Sequence, residues 1–207
     1  MINFEKQNYK DHWENVYETK NPNEVSWTQK IPQTSLNLIE KVSKDKSSKI
    51  IDIGGGDSNL VDFLLEKGFT NISVLDISAK ALEKAKTRLE AQAENVDWIV
   101  TDIAEFKTST EYDIWHDRAA FHFLTTEEEI KKYVEIVRSA VSDTLIIGTF
   151  SVNGPQKCSG LPISQYNEEG LKNIFSKDFE LVKSFTEDHV TPFGTVQNFI
   201  FCQFKKK

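Results

Sequence analysis

Residues 50–58, Ile-Ile-Asp-Ile-Gly-Gly-Gly-Asp-Ser, constrain this chain more than any other stretch. Ile50, Ile51 and Ile53 form a short β-branched apolar run that reads as a fully buried strand. Three glycines end it at once. A helix pattern follows, with Asp57 or Ser58 as N-cap, Leu60, Val61, Leu64 and Leu65 on one face, and Gly68 as C-cap. A buried strand, a glycine turn and a helix N-terminus make a nucleotide-binding corner at the carboxyl edge of a parallel sheet, because glycine lets the backbone approach a ligand closely.

Two acids sharpen that reading. Ser73–Asp76 reads as a second strand ending in an acid, and Asp97–Asp102 as a third strand ending in another. A carboxylate at Asp76 suits a ribose diol, since it accepts from two hydroxyls. One at Asp102 suits the amino group of an adenine. The dinucleotide fingerprint Gly-x-Gly-x-x-Gly fails here, because Asn59 stands where the third glycine should be.

The 207 residues suit one domain with a sizeable core. A net charge of -7 argues against a protein built to coat nucleic acid. Cys158 and Cys202 have no metal spacing, and no His/Cys cluster implies a metal. With no apolar run of membrane-spanning length and no leader pattern at the N-terminus, the expectation is a cytoplasmic protein with two free thiols.

Tyr9, His12, Trp13, Val16 and Tyr17 share one face of a helix over residues 7–20, ended by Asn21-Pro22-Asn23. This aromatic stripe either packs on the core or forms a lid over a ligand, and both roles are compatible. Trp27, in a polar loop, either plugs the core or closes a pocket. Pro32 opens a second helix with Leu36, Ile39 and Val42 inward, and Ser78 caps another with Ala81, Leu82, Ala85 and Leu89 inward. Tyr112–Asp117 reads as a fourth strand, followed by Arg118, His122 and a capping box at Thr126/Glu129. Thr144–Phe150 reads as a fifth strand, 151–166 as a long loop, and Asn167 as the cap of a short helix. Two strands close the chain, 179–185 and 196–204, the last apolar enough to be covered on both faces. Alternating strands and helices predict a parallel sheet with helices on both faces.

The stretch Asp52-Ile-Gly54-Gly-Gly56-Asp-Ser58, with Asp76 and Asp102, resembles the cofactor motifs of class I S-adenosylmethionine (SAM)-dependent methyltransferases. The resemblance covers roughly residues 9–205, with Ser58 replacing the last glycine of the first motif. It implies an α/β three-layer sandwich, with a seven-stranded, mostly parallel sheet and an antiparallel C-terminal strand. It implies one domain over 1–207, with 1–45 forming lid helices and 46–207 the Rossmann-like core. It places the methionyl group at Asp52, Gly54 and Gly56, the ribose at Asp76 and the adenine at Asp102, between Ile77 and Ile103. Trp13, Trp27 and His116 border the same cofactor.

Methyl transfer from a sulfonium is an in-line displacement in which the protein mainly aligns the reacting atoms. If the acceptor must lose a proton, His116, Asp117 and His122 are the candidate bases; a soft anion needs none. The segments Ile114–Ala120 and Ser159–Ser164 are similar to parts of thiopurine methyltransferase-like enzymes, which favours a small, soft or thiol acceptor. Protein lysine methylation is the alternative, and a SAM-binding protein without turnover a second. The Asn/Asp-Pro-Pro-Tyr/Phe motif of amino-group and nucleic-acid methylases is absent, with Asp117-Arg-Ala-Ala in its place.

Overall fold

The computed structural model of the chain describes residues 4–207, with side chains from Tyr9 onward. Residues 1–3, which the leader reading includes, lie outside the described residues. The helices are α1 (Phe4–Thr19), α2 (Gln33–Val42), α3 (Leu60–Glu66), α4 (Ala79–Leu89), α5 (Glu127–Ala140) and α6 (Glu168–Phe175). The strands are β1 (Ile50–Ile53), β2 (Ile72–Asp76), β3 (Val96–Val100), β4 (Tyr112–Arg118), β5 (Val141–Phe150), β6 (Lys157–Cys158), β7 (Leu161–Pro162), β8 (Phe179–Val190) and β9 (Val196–Lys206).

The main sheet has seven strands in the order β3-β2-β1-β4-β5-β9-β8. β3, β2, β1, β4 and β5 run parallel, and β9 inserts antiparallel between β5 and β8. This is the mostly parallel, seven-stranded, Rossmann-like sheet that the sequence predicts. Its first five strands end on one edge, where the glycine turn lies.

Alternation along the buried strands assigns each residue a face. Ile51, Ile53, Trp115 and Leu145 join a core with Tyr133 and Val137 of α5 and Phe175 of α6. Ile50, Ile114 and Ile146 join the opposite core with Leu36 and Ile39 of α2, Leu64 of α3 and Leu82 of α4. Phe199, Phe201, Cys202 and Phe204 of β9 are divided between both cores, as a strand covered on two faces requires.

Local chemistry sets most helix ends. Ser78 Oγ accepts from Ala81 N (3.2 Å), Thr126 and Glu129 form a reciprocal capping box, and Asn167 Oδ1 accepts from Gly170 N (2.8 Å). α3 departs from expectation. Its cap position is Asn59, without a side-chain cap bond; of the two expected caps, Asp57 pairs with Arg88 and Ser58 Oγ accepts from Leu60 N at 3.1 Å. The Asn59 amide instead donates to the carbonyls of Gln29 and Lys30. The 151–166 segment is not a plain loop: β6 and β7 pair as a short hairpin within it. β8 also runs on to Val190, past the expected end at residue 185.

Gly148 faces Phe201 across the β5–β9 pairing, and a Cβ there would lie 2.5 Å from the Phe201 ring. Phe201 is itself stacked on Phe185 at 5.5 Å. Gly148→Ala is therefore expected to destabilise the fold by about 1–3 kcal/mol through overpacking. Urea unfolding measures this, and a loss near zero would show that the aromatic layer yields freely.

Candidate active site

The turn after β1 is built from backbone alone. Gly54 and Gly56 have φ of +64° and +45°, in the left-handed region that glycine adopts without strain. A Cβ on Gly54 would meet Ala120 at 2.7 Å, and one on Gly55 would meet Val74 at 2.6 Å and Asp52 at 2.7 Å. One on Gly56 would lie 2.7 Å from Tyr17 Oη and 2.9 Å from Asp76 Oδ2. Over this turn opens a cavity of about 440 Å³, walled by the ends of β1–β4, by α1 and by residues 20–32.

The predicted cofactor residues converge here. Trp13, Trp27, Asp52, Gly54, Asp76, Ile77, Asp102, Ile103 and His116 all line the cavity, and Gly56 belongs to the same turn. Asp76 is 5% exposed, and its Oδ1 accepts from Ser78 N at 2.8 Å. Burial pushes its carboxyl up to about 7, with Asp52 and Glu14 adding repulsion. Asp102 lies two residues beyond β3, and its Oδ1 accepts from Ala104 N at 2.8 Å.

α1 lies across the opening and is anchored on both sides. The Glu14 carboxylate caps α4 from outside that helix, accepting from Ser78 Oγ (2.9 Å), Ala79 N (2.9 Å) and Lys80 N (3.1 Å). On the other side His12 Nε2 stands 3.0 Å from Ser159 Oγ of the β6–β7 turn. Between these anchors Trp13 meets Trp27 at 5.5 Å and Phe123 at 5.2 Å, both edge to face. Tyr9, Trp13, Val16 and Tyr17 of the stripe line the cavity, and Val16 alone of its five residues is buried.

The three candidate bases do not stand together. His116 and Asp52 are register partners on β4 and β1, and His116 Nδ1 lies 2.7 Å from Asp52 Oδ1. A carboxylate accepts, so Nδ1 carries the proton. His116 Nε2 is 2.8 Å from Ser35 Oγ of α2, so both ring nitrogens are engaged. Asp117, one residue on, faces the opposite core. It accepts from Ala120 N (3.1 Å), Phe121 N (3.0 Å) and Tyr133 Oη (2.7 Å), and is wholly buried. Burial raises its carboxyl to about 6. His122 is also wholly buried, stacked on Phe150 at 4.4 Å, and burial lowers it to about 3. Neither Asp117 nor His122 lines the cavity, which corrects their reading as bases. The reason is the two-residue period of β4, which turns Asp117 away, and the turn at Ala119 (φ +69°) that buries His122.

Sequence reasoning missed Glu14, Ser35 and Phe123. Ser35 and Phe123 line the cavity, and Glu14 ties α1 to the start of α4. Phe123 sits next to a flagged histidine. Glu14 and Ser35 gave no signal, because their partners are distant in the chain. Cys158 also lines the cavity, and burial raises its thiol to about 12, so it is an unreactive wall.

Residues 50–143 match the family model described as a methyltransferase domain. The chain is 23% identical over 186 residues to human EEF1A lysine methyltransferase 2, covering 84% of this chain and 75% of that protein. Its fold is similar to that of a SAM-dependent methyltransferase from Anabaena variabilis, with a TM-score of 0.75, 15% identity and coverage of 100% and 96% of the two chains. It is also similar to magnesium protoporphyrin IX methyltransferase from Synechocystis, solved with bound SAM, with a TM-score of 0.66, 19% identity and coverage of 95% and 90%. Over residues 50–143 the chain is similar to a methyltransferase domain, and its seven-stranded sheet is the Rossmann-like fold of class I SAM-dependent methyltransferases. It is a methyltransferase that uses SAM as its methyl donor. The cavity fits that donor, with a cradle free of Cβ atoms beside two carboxylates at successive strand ends. Among the described residues no helix is long and apolar enough to cross a membrane.

Because Asp76 binds its proton more tightly folded than unfolded, the ligand-free fold loses stability as pH rises from about 4 to about 7. Asp117 acts in the same direction up to about 6. Asp76→Asn is expected to flatten the upper part of this slope and raise the melting temperature of the ligand-free protein at pH 8. An unchanged profile would mean that Asp76 titrates as an exposed carboxyl.

Proposed function

We propose that the enzyme methylates a small molecule enclosed beneath α1, by in-line displacement at the methyl group of SAM. SAM supplies an electrophile that is already activated, so alignment is the main task left to the protein. The glycine turn cradles the methionyl part and Asp76 accepts from the ribose hydroxyls. Asp102 receives the adenine amino group, with Ile77 and Ile103 on the two faces of the ring. Enclosure carries the small-molecule reading. The lid is fixed on the cofactor side by Glu14 and on the acceptor side by His12, and Trp13 seals onto Trp27 and Phe123 between them.

His116, with Ser35 and Asp52, shapes the wall next to the methyl group. With both nitrogens engaged it is not a free base, which suits an acceptor that arrives as an anion or a soft nucleophile. A second reading is lysine methylation. It is supported by the similarity to EEF1A lysine methyltransferase 2 and by the cluster of aromatic rings, whose faces attract an ammonium group. On that reading α1 must open for a protein segment to enter.

Incubation of a cell extract with the enzyme and tritiated SAM separates the two. The label is expected in the small-molecule fraction, and label confined to protein would select the lysine reading. The ribose assignment has its own test. Hydroxyl donors favour the ionised carboxyl, so SAM affinity should fall as pH drops below about 7, with proton release detectable by calorimetry in buffers of different ionisation enthalpy. Asp76→Asn should remove that proton release and weaken SAM by about 1–3 kcal/mol. A variant that binds SAM as the parent does would remove Asp76 from the ribose.

A further inference from the structure

Two arginines line the cavity, and their surroundings differ. Arg88 is saturated. Its Nε and Nη2 bind the Asp62 carboxylate at 2.9 and 2.8 Å, its Nη1 pairs with Asp57, and Nη2 also reaches Ser58 O. Among the described residues Arg118 has one hydrogen bond, from Nη1 to the Trp27 carbonyl at 3.1 Å. Its Nε is buried without a partner, and it forms no ion pair with any carboxylate among the described residues. Glu187 and Asp52 act on its charge without bonding to it: Glu187 accepts from Thr34 Oγ1, and Asp52 is bound to His116. Its remaining contact is the Phe199 ring, 4.8 Å from the guanidinium carbon. Burial lowers even this guanidinium, to about 10. A buried cation with no carboxylate bonded to it is costly, and such a group facing a cavity can be satisfied by an anion from outside.

Position says which half of the cavity that anion occupies. Arg118 ends β4 and leans over β9, where Phe199 lies. β9 is three places from β1 in the sheet, roughly 14 Å at the usual strand spacing. The acids Asp76 and Asp102 lie on the other side of β1, at the ends of β2 and β3. Arg118 is therefore on the acceptor side, beneath Trp13, Trp27 and Phe123.

Resting on the small-molecule reading, we propose that the methyl acceptor carries a carboxylate, held as an ion pair by the Arg118 guanidinium, with its planar body among Trp13, Trp27 and Phe123. The planar guanidinium matches a carboxylate, and its Nη2, which has no hydrogen bond among the described residues and is not among the enclosed atoms, is the donor open to a ligand. The residue sets specificity and leaves the reacting atom to the geometry around His116. It also repels an ammonium group at the same place, so it selects against a lysine side chain lodged there.

The test is calorimetry on protein saturated with S-adenosylhomocysteine, so that the methionyl site is filled. Matched probes are benzoate against benzamide, and phenylacetate against phenylacetamide. In the parent protein at least one carboxylate should bind tenfold or more tightly than its amide. Arg118→Gln should abolish the difference while changing SAM affinity less than twofold, and that unchanged affinity also reports an intact fold. Arg118→Lys should keep part of the preference. Equal binding of acid and amide in both pairs would overturn the proposal. So would a tenfold loss of SAM affinity in Arg118→Gln, with decarboxylated SAM binding parent and variant alike, since Arg118 would then hold the cofactor's own carboxylate. Tritium confined to protein with the carboxylate preference intact would remove the small-molecule reading and keep the anion site. Loss of the preference with tritium in small molecules would do the reverse.

Discussion

The site depends on a stretch of backbone that has no room for side chains. At Gly54, Gly55 and Gly56 an added Cβ would come within 3 Å of groups from α1, β1, β2 and the segment after β4. These elements can converge on one point only because the turn presents bare peptide. The sheet order then follows usefully: β1 is the middle one of the five parallel strands, so its turn is flanked by β2, which carries Asp76, and β4, which carries His116 and Arg118. A side chain at Gly54 would push away Ala120, and with it the segment that carries Phe123.

β4 divides structural from functional polarity by its two-residue period. On one face Trp115 Nε1 donates to Tyr133 Oη at 3.0 Å, and Tyr133 donates to Asp117, so a buried carboxyl is satisfied by three donors and pins α5 to the sheet. On the other face His116 ties β1 to α2 through Asp52 and Ser35, and Arg118 stays almost free of partners. Four consecutive residues thus serve both cores and the cavity. The carboxyls differ in the same spirit. Asp117 is enclosed among donors, whereas Asp76 is pushed to about 7 at the cavity wall, where a ligand supplies what burial removes.

Much of this is legible in the chain. The buried strand, the glycine turn and the acids at the next two strand ends identify both the fold and the cofactor edge, because each expresses a local rule. What the sequence did not reveal is long-range. Glu14 caps a helix more than sixty residues away, and Ser35 meets His116 across the sheet face. Asp117 and His122 were misread for a different reason. Their residue types suit acid–base work, but strand alternation and the turn at Ala119 decide which way they point. The period that separates Asp117 from His116 was present in the sequence and sets the two on opposite faces, so they could not act side by side.

On the proposed reading cofactor and acceptor share one cavity beside α1, and that helix couples them. Glu14 fastens α1 next to Asp76 and Ser78, and Trp13, one residue earlier, closes the acceptor side. The most direct test is a crystal structure of the enzyme with S-adenosylhomocysteine. The account predicts the ribose hydroxyls on Asp76, the adenine between Ile77 and Ile103, and the sulfur facing the space bounded by Phe123 and Arg118, with α1 closed over it. A homocysteine moiety pointing away from Phe123, or a ribose that does not touch Asp76, would contradict it.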